Sequence, residues 1–184
     1  MVKYGNGGWE WIESGGGPLI VVPEQVLTSW QGCDFESTTN DDDYGRACEV
    51  EGYLGVIPVA HAQALVLGEP WPATYVPKHG CFVCWIAADS EDAMLGSVEQ
   101  AIGEASWEAE VLWEVPGPVV LLHSGLPGVP GPDAEFDELD RLRIDLEVGR
   151  YLVRAAYATP APRTTMVLVG LTKLSPDDSA GTTP

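Results

Sequence analysis

The sequence predicts a mainly β or α+β fold: antiparallel sheets, sandwich- or barrel-like, with one or two helices packed on a face. Three observations point there. Apolar runs of strand length recur along the chain, as in "PLIVVP", "GYLGVIPV" and "TTMVLVGL". Alternation of apolar with polar residues, the period of a half-buried strand, governs "WEAEVLWEV" and "GRYLVRAAYA". Finally, 21 Gly and 15 Pro in 184 residues cut the chain into pieces too short for long helices to dominate.

Taken in order, "GWEWIES" alternates and reads as a strand, followed by a glycine turn and a second strand ending at Pro23. Pro23 then opens a short helix, with Val26, Leu27 and Trp30 at helical spacing and Gly32 as its stop. Residues 33–45, "CDFESTTNDDDYG", read as an acidic surface loop. "GYLGVIPVAHAQALVLG" is a hairpin of two apolar strands, expected in the middle of a sheet. "EPWPATYVPKHG" reads as a proline-punctuated connection and "CFVCWIAAD" as a strand. "DSEDAMLGSVEQAIGEA" predicts the one longer helix: Asp89 or Ser90 caps it, and Met94, Leu95, Val98, Ala101 and Ile102 form one apolar stripe. "WEAEVLWEV" and "GPVVLLHSG" are strands across a "PGP" turn, and residues 125–138 form a Pro/Gly-rich solvated loop. "RLRIDLE", "GRYLVRAAYA" and "TTMVLVGLTKL" complete the chain as an antiparallel meander. A single domain over 1–174 is expected, with "SPDDSAGTTP" at 175–184 as a frayed tail.

Charge narrows the function. Asp and Glu number 28 against nine Lys and Arg, a formal net charge of -19, and no basic side chain stands between Lys78 and Arg141. Such a surface repels phosphate backbones and anionic lipid, which argues against direct nucleic-acid or membrane binding and favours a partner with a basic face. The start "MVKYGNGGWEWIESGGG" lacks an apolar h-region, and no window approaches the ~20 apolar residues of a membrane span, so a cytoplasmic protein is expected. Its four cysteines are then expected as free thiols.

No catalytic set stands out. Cys81 and Cys84 form C-x-x-C, but residues three apart on a strand face opposite ways, and no second ligand pair completes a zinc site. His61, His79 and His123 lie outside any nucleophile motif, and the glycine runs lack the Lys and spacing of a phosphate loop. Asp41, Asp42 and Asp43 lack the spacing of a calcium loop. No catalytic, metal or cofactor residue is therefore assigned. Paired carboxylates on different strands, acting on a carbohydrate or small ligand, remain the enzymatic alternative.

Three blocks carry a resemblance: "WIESGGGPLIVVPEQVLTSW", "DYGRACEVEGYLGVIPVAHAQALVLGEP" and "DLEVGRYLVRAAYATPAPRTTMVLVGLTKL". In this order, from about Trp9 to Leu174, the chain resembles the immunity protein 21 family of bacterial polymorphic toxin systems. Gly16, Gly17 and Pro18, and the pattern through Asp43, Tyr44, Arg46, Ala47, Cys48, Val50, Gly52, Tyr53, Leu54 and Gly55, are its most specific parts. Gly45 and the C-x-x-C depart from it. The resemblance implies a mostly β protein that binds and blocks a cognate toxin domain, and it brings no catalytic residues. An acidic exterior suits a cationic, nuclease-type toxin by speeding encounter, with affinity left to aromatic anchors. Two segments place an aromatic among carboxylates and are the candidate partner-binding residues: Asp41, Asp42, Asp43 and Tyr44, and Glu135, Phe136, Asp137 and Glu138. Asp43, Tyr44 and Arg46 also read as a structural lead-in to the next strand. Arg46 is expected to pair with a local carboxylate, Asp41 and Asp42 to be exposed, and Cys48 to be packed.

Overall fold

The computed structural model describes residues 8–34, 41–129 and 141–175. Two five-stranded antiparallel sheets pack face to face as a sandwich, as expected from the strand patterning. The first has the order β2-β3-β1-β7-β8, built from β2 (Leu54–Val59), β3 (Ala62–Leu67), β1 (Leu19–Pro23), β7 (Val119–His123) and β8 (Arg141–Ile144). The second has the order β4-β5-β10-β9-β6, from β4 (Ala73–Val76), β5 (Cys81–Ala87), β10 (Thr164–Lys173), β9 (Gly149–Ala161) and β6 (Ala109–Val115).

Strands buried on both faces explain the unbroken apolar runs. Along β1, Leu19 and Val21 enter the core between the sheets, while Ile20 and Val22 enter a second core on the outer face of the first sheet. That outer core is covered by a 3-10 helix over Glu24–Ser29, by Trp30 and by α1 (Asp43–Cys48) through Ala47. Along β10, Val167 and Val169 face the central core, and Met166 and Leu168 face a third, covered by α2 (Glu91–Gly96) and α3 (Val98–Glu104). Helices thus cover both outer faces rather than one.

Several local expectations are corrected. Residues 9–13 form no strand: Ile12 makes a single bridge to Ala73. The β2–β3 hairpin forms, with Leu54 opposite Leu67, but it does not lie in the middle of the sheet: β2 is an edge and Pro58 sits on it, where a missing N–H costs no ladder bond. The 69–80 segment is not only a connection, since Ala73–Val76 pairs with β5 as the other sheet's edge. The expected single helix is two, α2 and α3, broken at Ser97, whose hydroxyl donates back to the Ala93 carbonyl (2.7 Å). Ser90 caps it, accepting from the Ala93 N–H (3.1 Å). The final meander is only half formed: β9 and β10 pair, but β8 crosses to β7 in the other sheet.

Candidate functional site

The acidic segment is largely consumed by its own structure. Asp42 is the N-cap of α1: one oxygen accepts from the Gly45 N–H (2.7 Å) and the other from the Asp34 N–H (2.8 Å). Asp43 accepts from the Gln31 N–H (2.7 Å) and pairs with Arg46 (2.7 Å), which also donates to the Pro58 carbonyl. Arg46 therefore has its local carboxylate, and it ties α1 to β2. Asp42, expected exposed, is half-buried because capping draws it inward; Asp41 is exposed. Tyr44 lays its hydroxyl end on Gly17, so close that a Cβ there would come within 2.5 Å of the phenol oxygen, and its ring lies 6.0 Å from His123. Cys48, expected packed, is exposed, because it sits on the outer side of α1 opposite buried Ala47. Glu135, Phe136, Asp137 and Glu138 lie outside the described residues.

The backbone N–H groups of Gly45 and Asp34 hold the Asp42 carboxyl below the usual Asp range. With the folded value depressed, its contribution to stability is present above the ordinary Asp value of about 4 and is lost as pH falls through the depressed one. Asn at this position keeps one cap acceptor and loses the titration. Asp42→Asn is thus expected to be less stable than the parent near neutrality, the gap narrowing steadily under acid. Urea melts across the acid range check this, and a gap independent of pH would contradict it.

The C-x-x-C behaves as strand geometry requires: Cys81 faces the core under α2 and α3, and Cys84 the core between the sheets. Burial pushes both thiols up to about 12, so they are inert at neutral pH. His123 is held neutral by burial, with Nδ1 accepting from the Gly125 N–H (3.3 Å). Among the described residues Glu91 is the one buried carboxylate, and no second acid is buried beside it. No group of three or more His, Cys, Asp or Glu there has metal-holding geometry, and no described helix is long and apolar enough to cross a membrane.

The charge distribution is more informative than any single acid. The described cations are almost all engaged with carboxylates: Arg46 with Asp43, Lys78 with Glu99, Arg143 with Glu24 and Asp145, Arg150 with Glu114, Arg163 with Asp89 and Lys173 with Glu147. Arg141 is bonded to the Pro127 and Gly128 carbonyls, and Arg154 lies 5.2 Å from the Trp107 ring. Glu13, Glu51, Glu69 and Glu108 have no cation beside them among the described residues. Glu69 and Glu108 stand at one end of the sandwich with Tyr53 and Tyr157, the last 50% exposed, and Glu13 and Trp71 line the adjoining groove. Burial first, then Glu108 and Glu69, push the Tyr53 phenol above its usual value, which places these groups together.

A family model described as Immunity protein 21 matches residues 10–164. The chain belongs to that family. No curated protein and no solved structure matches it. In this immunity protein 21 chain the two most specific sequence blocks are a structural unit: Tyr44 seats on Gly17, a Cβ on Gly55 would meet Val50 at 2.6 Å, and Gly52 packs against Gly68. Side chains seated on Gly17 and Gly55, the backbone crossing at Gly68 and the positive φ of Gly52 explain those glycines. The residues that sequence reasoning missed are those of the acidic, aromatic end. A signal was available in "EPWP" at 69–72, in a stretch from 47 to 77 without a single cation.

Proposed function

We propose that this member is a non-catalytic cytoplasmic protein that binds a cognate polymorphic toxin domain and neutralises it, the toxin presenting a basic, nuclease-type face. The family supports an immunity role. The observation that extends it is the surplus of unpaired carboxylates over cations already engaged within the fold, which leaves a net negative exterior for a positively charged partner. Screened surface pairs contribute only ~0–1 kcal/mol each, so affinity must come from apolar anchors within the acidic surface. Co-expression with the toxin domain encoded beside its gene tests the reading. Restored growth, with a 1:1 complex recovered whose association slows steeply as salt rises, is the expected result; toxicity undiminished by the co-expressed protein would refute it. Substrate turnover abolished by a single carboxylate substitution would instead favour the enzymatic alternative.

A further inference from the structure

Charge separates three grooves on the described surface. One of about 230 Å³ is lined by Glu24, Gln25 and Pro116–Pro118, and a neighbour of about 420 Å³ includes His61, Gln63, Glu114 and Val148. Their carboxylates are already neutralised, Glu24 by Arg143 and Glu114 by Arg150. The third, of about 450 Å³, runs between Glu13 and Ile86 past Pro70, Trp71 and Trp85, and none of the residues lining it is Lys, Arg or His. We propose that this third groove, continued past Glu69 to Tyr53 and Tyr157, is where the toxin domain docks, receiving a loop that carries an exposed Arg or Lys. The inference rests on the immunity reading above and adds the place and the chemistry of contact.

Three features make the groove a fit for such a loop. Its walls are fixed before binding. The Ser14 hydroxyl donates to the Pro70 carbonyl (2.8 Å), the Trp85 N–H to Pro72 (2.8 Å) and the Trp71 N–H to Glu69 (2.8 Å), while two prolines stiffen the segment between. Little ordering entropy is then lost on association. Its surface is aromatic: an indole at Trp71 and phenols at Tyr53 and Tyr157 can receive the methylene stem of Lys or the plane of Arg. No described Lys or Arg pairs with its carboxylates. Burial raises the Glu13 carboxyl above the usual Glu range, and an incoming cation would reverse that shift by favouring the ionised form. Glu69 stands at the junction, where the Gly68 N–H bonds to the Tyr53 carbonyl (3.1 Å) and so joins the groove to the phenols.

The test uses the full chain and a catalytically disabled form of the toxin domain encoded beside it, titrated calorimetrically. Glu13→Lys/Glu69→Lys is compared with Glu104→Lys/Glu110→Lys, which makes the same change in net charge at exposed positions on α3 and β6. The expected result is a Kd about 30-fold or more weaker for the groove pair, about tenfold weaker for Tyr157→Ser, and changed by no more than about threefold for the control pair. Melting curves establish that each variant is folded; because its altered side chains are exposed or only half-buried, the groove pair should melt with the parent. Equal losses in the groove and control pairs would overturn the proposal, because net charge and not this groove would then be what the toxin reads. Absence of any binding by the parent chain would instead overturn the immunity reading beneath it.

Discussion

Replacing Trp30 by alanine is expected to lower the stability of the fold by about 3–5 kcal/mol, measured by urea unfolding with an unchanged m-value. The side chain is fully buried just after the 3-10 helix and fills the core against Ile20, Val22, Val66 and Leu122. It also carries a chain of hydrogen bonds: its Nε1–H donates to the Ser124 carbonyl (3.0 Å), and the Ser124 hydroxyl donates to the Pro18 carbonyl (2.6 Å). Its own carbonyl accepts from the Gly128 N–H (2.7 Å). Trp30→Phe separates the contributions. Most of the volume remains, but a buried carbonyl loses its donor, and about 1–3 kcal/mol should be lost from that cause. If Trp30→Phe proved as damaging as Trp30→Ala, the hydrogen bond rather than the volume would dominate.

The second large effect is expected at Gly68, where alanine should cost about 3 kcal/mol. A Cβ there would lie 2.1 Å from the Gly52 carbonyl oxygen, and both are backbone positions in the close crossing that leads into β2 and out of β3. Neither partner is a side-chain tip that can swing aside. Gly96→Ala is the matched comparison: nothing lies within 4 Å of its added methyl, and alanine at the end of α2 should be neutral or stabilising by up to about 1 kcal/mol. Thermal melts of the two variants should move apart by several degrees. Equal melting temperatures would show that the crossing has room the structure does not display.

What the sequence made legible was local. The β2–β3 hairpin, β5, β6 and the Met94, Val98, Ala101 stripe each carry a period that survives folding, so each was read in place. Pairings between distant segments left no such mark. β8 looks like the first strand of a terminal meander, yet its partner is β7, because Ile144 fills the core between the sheets beside Val119 and Leu121. The sequence of helix α1 reads as loop because "DYGRAC" holds a mid-helix glycine and only six residues, too few for a stripe; its cap at Asp42 is the readable clue. The same limit applies to the candidate site. An aromatic beside carboxylates in sequence marked residues 41–44, but three of those four side chains turn inward to hold α1, whereas the acidic groove is assembled from segments near 13, 53, 69, 86 and 157 that no window brings together.

The place of β10 sets when the sandwich can close. It comes last in chain order among the described strands, yet it lies third of five in its sheet, so β4 and β5 meet β9 and β6 only through it. Until residues 164–173 have been made, the second layer has no centre on which to assemble. A copy truncated before Thr164 therefore cannot complete the sandwich.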